Sequence, residues 1–597
     1  MIFVVSVFGF VYNVVISQKA IELQKGNGKY MLLVLVNWTY IIITAFSMGF
    51  AFTKFVENKL KYKIKEINTI IAIGLVIATV YAQYFSLFCK VGLLANSIMV
   101  SVCVVIILFW KKEIGTLLYD VYKQNSIVKK IAVIVITAIW AYCTSRGYMH
   151  YDSDLYHAQS IRWIEEYGIV KGLGNIHVRF AYNSSFFAVS ALYSMKFLLG
   201  QSLHTVNGFI ALILSIEVLK LTDIIKRKSL SMSDFAMLGA FYYLTIIYRD
   251  ITAPASDYAI MCVVFYIIIK WLATLEQDKE NVVPFALLCV GGVYAVSLKL
   301  TAGLILLLLI KPAYMLIKEK QVKAIFMYIF MGIIVIFPWI ARTVIISGYL
   351  LYPFPDIDIF NVDWKIPAEL VALDAAEIKT WGRGLNNAAL VDMPVSQWFS
   401  GWFNTMLPTI GKIFILADFM CIAIFIVLVI VDIVNRKNDK ADKSVCWEYI
   451  LVLLSLLVSY LFWQLQAPLL RYGYAYVLLT IVITIGTIKT VLSKRINNIK
   501  LLKFSNMAVI ICIIILAVAK AASLAGYMYS VSDKPYYVKQ QDYGIYSLES
   551  YEVDGVTFYY PKSGDRAGYE YFPAIPRKTD IVFRGVDITK GFKPFVK

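Results

Sequence analysis

All four histidines of the chain fall between positions 150 and 204, and three of them, His150, His157 and His177, share one polar segment. It reads His150-Tyr-Asp152-Ser-Asp154-Leu-Tyr156-His157-Ala-Gln159-Ser-Ile-Arg162-Trp163-Ile-Glu165-Glu166. Asp154, His157 and Ile161 stand at helical spacing, as do Gln159 and Arg162, which predicts a polar amphipathic helix. Carboxylates beside a histidine suit general-base work or a divalent metal. Asp152, Ser153 and Asp154 would also cap a helix and complement its dipole. A cap alone leaves His157, Gln159, Arg162 and the two glutamates unexplained.

A second set of residues carries positive charge. Arg249 and Asp250 precede Pro254 and Asp257, Lys299 interrupts Ser297–Thr301, Arg342 follows Pro338-Trp339, and Arg471-Tyr472 follows Pro468. Each cation sits at the end of an apolar run. One such residue could simply snorkel. Four at corresponding ends mark a site instead, and cations gathered there would bind a phosphate or pyrophosphate.

The elements that must position these groups are membrane spans. The 597 residues are 60% apolar and 16% charged, against about 45–50% and 25% in a soluble domain. Apolar blocks at 1–17, 30–53, 67–88, 93–110, 131–147, 204–222, 234–249, 257–275, 284–298, 301–317, 324–341, 405–433, 446–463, 472–489 and 504–530 predict about fifteen crossings of a ~30 Å core. The fold class expected is therefore an all-α polytopic membrane protein.

The formal charge of +18 does not point to nucleic acid, because its lysines and arginines cluster in short loops between spans. Lys54–Lys65, Lys111–Lys112, Lys129–Lys130, Lys226–Lys228, Lys311–Lys323, Arg436–Lys443 and Lys489–Lys503 mark the cytoplasmic side. The segments 148–182, 249–257, 342–404, 464–471 and 531–597 then lie outside. Ser184–Leu199 does not fit the parity of crossings and is expected to lie in the interface or to re-enter. The N-terminus reads as a first span, since it has no basic residue before its apolar run and no A-x-A site.

The eight cysteines lie in or beside spans, so neither a disulfide framework nor Cys/His metal spacing is implied. Trp364, Trp381, Trp398 and Trp402 in the acidic segment 342–404 would anchor an interface or stack on a sugar ring. The tail, with short strands at Val556–Tyr560 and Ile581–Arg584, predicts a small cap. No internal repeat or low-complexity tract is present.

The order of these motifs resembles the C-type (GT-C) membrane glycosyltransferase superfamily over roughly 145–490. An acidic first outer loop carries Asp152 and Asp154. An outer turn with Asp257 follows, then Val296-Ser297-Leu-Lys299. Pro338-Trp339-Ile-Ala-Arg342 leads to Ser347-Gly348-Tyr-Leu-Leu-Tyr352-Pro353, and Arg471-Tyr472 opens a late span. Tyr151–Ser185 and Ser347–Pro367 are also similar to large bacterial membrane proteins of undefined role. Prolines common after the superfamily's first loop are absent at Asn183–Phe186, and extra spans precede that loop.

The resemblance implies N-terminal helices over 1–130, a transmembrane core over 131–530 and a small extracytoplasmic segment over 531–597. It implies a protein of the cytoplasmic membrane with its active site outside, moving a sugar with inversion from a polyprenyl-phosphate donor to a glycan, lipid or protein acceptor. Asp154 or Asp152 would be the base, with His157 orienting base or acceptor. Lys299, Arg342, Arg471 and Arg249 would hold the donor phosphate, with Asp257, Gln159, Arg162 and His177 as supporting polar groups. A divalent Mg or Mn ion, if used, would fall to Asp152 and Asp154. A lipid-linked glycan flippase would instead need ionisable residues deep in several spans; a polymerase or ligase shares the transferase chemistry.

Overall fold

The structure, a computed structural model, describes residues 32–227, 230–437, 447–495, 499–530 and 540–595. The expected first span at 1–17 and most of the basic loop 436–443 lie outside these residues. The chain forms α1 (Leu32–Leu60), α2 (Ile67–Ser86), α3 (Leu93–Phe109), α4 (Lys111–Gln124) and α5 (Ile127–Ser145). The loop helix α6 (Ala158–Glu166), the short α7 (Ser185–Tyr193), and α8 (Val206–Val218), α9 (Met232–Ile247), α10 (Ser256–Gln277) and α11 (Val282–Leu298) follow. A 3₁₀ stretch (Leu300–Leu309) then runs into α12 (Ile310–Lys318), followed by α13 (Val322–Ser347), α14 (Ala368–Gly382) and α15 (Val395–Thr405). The last helices are α16 (Thr409–Lys437), α17 (Trp447–Gln466), α18 (Leu470–Arg495) and α19 (Ile499–Ser530).

Nine of the described helices are long and apolar enough to cross a membrane, ten if α3 and α4, bent by 81°, form one span. This is a multi-pass membrane protein. The number is below the fifteen that apolar blocks predict. The blocks at 204–222, 234–249 and 284–298 fold as α8, α9 and α11, and α9 and α11 are short apolar helices. An apolar block counts residues that need burial, and protein neighbours can supply that burial as well as lipid.

Ser184–Leu199 shows this most clearly. All nine residues of α7 are buried, packed against α2, α6, α8, α10 and α11. At 1.5 Å per residue α7 spans about 13 Å, less than half a hydrocarbon core. It is too short to cross and lies packed among the helices.

The closest helix pairing is α1 with α2. A Cβ on Gly74 would sit 1.6 Å from the Ala45 carbonyl oxygen, and one on Gly49 would sit 1.9 Å from that of Ile70. Only hydrogen at these two positions lets the backbones touch.

The large loops gather at one end of the bundle. Arg179 of the first loop pairs with Asp374 on α14 at 3.1 Å, and Arg584 pairs with Asp363 at 3.0 Å. The tail forms the hairpin β1 (Leu548–Val553) and β2 (Val556–Pro561) and the short pair β3 (Val582–Phe583) and β4 (Phe592–Lys593). Phe558, Ile575, Phe583 and Phe592 bury this cap against Trp163, Leu173, Ile346 and Tyr349. Trp398 and Trp402 are buried in the bundle, the latter donating to the Pro468 carbonyl at 3.0 Å, so neither faces a sugar.

Candidate functional site

Four helix ends meet at the loop end of the bundle. The segment after α5 brings His150 and Asp152, the first turn of α10 brings Asp257, the residue after α11 is Lys299, and α18 opens with Arg471 and Tyr472. Arg471 is the hub. Its Nη2 lies 2.8 Å from Asp152 Oδ2 and 2.8 Å from the Tyr472 hydroxyl, its Nε lies 3.5 Å from Asp257 Oδ2, and its Nη1 contacts His150 Nε2. Lys299 Nζ pairs with Asp257 Oδ1 and sits 3.6 Å from the centre of the Tyr472 ring.

Asp257 is buried, and His150, Asp152, Lys299 and Arg471 are partly open to solvent. Burial, reinforced by the Arg471 charge, pushes the His150 imidazole below its usual value and keeps it neutral. The cluster therefore balances two cations against two carboxylates. Charge-assisted contacts of this kind orient their members tightly, and each carboxylate keeps lone pairs free to take a proton.

The other expected site residues lie elsewhere. Arg342 is 3% exposed and donates to Ser86 Oγ, to the Gly168 carbonyl at 3.2 Å and to Asn183 Oδ1 at 3.1 Å. It has no carboxylate partner among the described residues and ties α13 to α2 and the first loop, so the cradle of Lys299, Arg342 and Arg471 is not formed. Arg249 lies over the rings of Tyr248 and Tyr527, at 5.4 and 5.7 Å, also apart from Arg471.

Asp152 and Asp154 diverge. Ser153–His157 forms a turn of π-helix, whose i→i+5 bonding widens the turn and breaks the helical phase that the spacing predicts. Asp154 points into the cap, where its carboxylate accepts from the Gly544 N–H at 3.1 Å and the Tyr546 hydroxyl at 2.8 Å. Its backbone carbonyl accepts from Ala567 and Gly568. Burial pushes the Asp154 carboxyl up, against the pull of those two hydrogen bonds.

The neighbouring polar residues make the same attachment. Gln159 donates to the carbonyls of Gly568 and Tyr571 and accepts from Ala574 N–H. Arg162 donates to the Glu570 carbonyl at 2.6 Å and lies over the rings of Tyr569 and Phe572. The polar richness of the first loop is thus the footprint of the cap.

His157 is buried against Tyr156 and Phe187, its Nδ1 unpaired, and burial pushes it down to about 3. His177 accepts from Arg179 N–H at 3.2 Å and is likewise pushed down to about 3 by burial and the Arg179 charge. Among the described residues no group of three His, Cys, Asp or Glu is placed to hold a metal, so Asp152 and Asp154 do not combine as ligands.

The sequence alone does not single out the network beneath the cap. Asp374, 1% exposed, accepts from the Tyr182 hydroxyl at 2.6 Å and the Tyr352 hydroxyl at 3.2 Å while pairing with Arg179. Asp374 counts only as one acid in an acidic loop until α14 is placed beside Arg179.

The comparisons with known proteins enter against this geometry. Residues 31–478 match a family described as a domain of unknown function, DUF8201. The chain belongs to this family. The DUF8201 match takes in every member of the outer cluster from His150 to Tyr472. No curated protein and no solved structure matches the chain.

Proposed function

We propose that the protein is a membrane glycosyltransferase that moves a sugar from a polyprenyl-phosphate donor to a cell-envelope acceptor on the extracytoplasmic face. The observation that carries this reading is Arg471 bridging Asp152 and Asp257 beside Lys299 at the loop end of the bundle. Transfer needs a base for the acceptor hydroxyl and positive charge for the departing phosphate. Asp152 and Asp257 supply the first, Lys299 and Arg471 the second.

The charge balance suggests how the two are linked. An acceptor hydroxyl attacks the anomeric carbon as the bond to the phosphate oxygen breaks, and its proton passes to Asp152. Neutralising Asp152 frees the Arg471 guanidinium for the phosphate that leaves with the bonding pair. Such charge stabilisation is among the larger catalytic terms. Asp154 is not well placed for the base role, because its carboxylate is committed to Gly544 and Tyr546.

The test is transfer from a polyprenyl-phosphate sugar by the full-length protein in liposomes. Asp152→Asn and Arg471→Ala should each lower transfer by about 10²–10⁴-fold, the usual worth of a base, while Arg342→Lys should act through stability alone. Movement of the donor across the bilayer with no transfer would identify a flippase instead.

A further inference from the structure

Deep in the bundle a carboxylate stands alone. Asp418 is in the third turn of α16, about 14 Å along that helix at 1.5 Å per residue and inside its apolar span Thr409–Val434. It is fully buried, and neither carboxylate oxygen has a hydrogen-bond partner among the described residues.

The surroundings are hydroxyl-bearing. Cys421, one turn further on, and Tyr460 of α17 are buried as well. Thr480 and Thr484, one turn apart on α18, are buried with hydroxyls that have no partner among the described residues. Tyr460 itself reaches only Gln464 Oε1, at 3.5 Å. From the other elements packed on α16, Tyr242 of α9 meets Phe414 and has Lys520 of α19 over its ring at 5.4 Å, and Phe399 of α15 meets Phe419; among the described residues no cation bonds to Asp418 itself. A bare carboxylate cannot be kept at this depth without a positive partner.

We propose that Asp418 is an intramembrane proton-binding site, its buried and unpartnered carboxyl carrying an exchangeable proton. The proton is the partner that the protein does not supply. A titratable carboxyl within a span gives the bundle a place to take up and release protons inside the membrane. This site is separate from the outer cluster and stands whether or not that cluster transfers a sugar.

Infrared difference spectra of wild type and Asp418→Asn, as full-length protein in liposomes, test it. Wild type should show a protonated-carboxyl band at neutral pH that the variant lacks, that shifts in heavy water, and that falls about tenfold for each pH unit above its midpoint. A carboxylate band at neutral pH, a proton that does not exchange, or loss of the band on adding sodium chloride at fixed pH overturns the proposal. Should Asp418→Asn fail to fold, Asp418→Glu must move the same band.

Discussion

Arg471 and Asp152, 319 residues apart in the chain, meet with Nη2 2.8 Å from Oδ2. The contact joins the first large loop to one of the last helices and places a base candidate against the cation that would serve the leaving group.

A double-mutant cycle over this pair should register the contact. Because Asp152 and Asp257 share one guanidinium, Arg471→Ala leaves Asp257 to Lys299 and Asp152 beside His150 alone, and should destabilise more than Asp152→Asn. The cycle should give a coupling energy in the range of about 0.5–3 kcal/mol, read by denaturation in detergent. Additive effects would mean that the two side chains do not interact in solution.

Asp154→Ala should loosen the cap. The change orphans the Gly544 N–H and the Tyr546 hydroxyl, each worth about 1–3 kcal/mol when left unsatisfied, so hydrogen exchange over 540–595 should quicken while the bundle stays protected. Asp154→Asn keeps one acceptor oxygen and should have the smaller effect. Equal exchange in all three proteins would contradict the anchoring role.

Acid should destabilise the protein. His157 and His177 are pushed down to about 3 by burial, whereas a free histidine titrates near 6.5. Between those values the folded state binds fewer protons than the unfolded one, so stability rises with pH and is lost as pH falls from about 6.5 toward 3. Asp250, pushed up to about 6 by burial, has the opposite sign over the lower part of this window, and Asp154 shares its direction. Two histidines outweigh them on the way from neutral pH to 5. His157→Phe removes an unpaired buried polar atom and should flatten this slope without lowering stability at neutral pH. An unchanged slope in the variant would remove His157 from the acid response.

Gly49→Ala and Gly74→Ala should both harm the fold. Each Cβ would land under 2 Å from a backbone carbonyl oxygen, so α1 and α2 must separate. Thermal melting in detergent should show losses beyond the roughly 1 kcal/mol scale of a surface change, whereas Gly115→Ala, in open space on α4, should be silent.

The sequence made some of this legible and hid the rest for physical reasons. Helical class, the gathering of the large loops and a small β-containing cap follow from apolar block length, charge placement and turn residues. Lys299 and Arg471 stand out because each interrupts the end of an apolar run. Arg342 meets the same criterion and lies apart, since a cation near a span end can equally bind backbone carbonyls, and only packing decides. Asp152 and Asp154, two residues apart, read as one pair until the π-turn separates them. Asp418 goes unnoticed in a run of apolar residues because one acid barely alters mean hydropathy, yet its burial makes it the most exacting residue in that helix.

The clasp between Asp154 and Gly544 also has a bearing on the order in which the molecule is built. The first loop leaves the ribosome long before the cap that covers it, and six of the nine candidate spans lie between the two in the chain. Until residues 540–595 arrive, Asp154, Gln159 and Arg162 face water with their partners not yet made. The loop end of the bundle is therefore closed last, so a nascent chain stalled before the cap would carry a solvated, unlatched first loop beside spans already inserted.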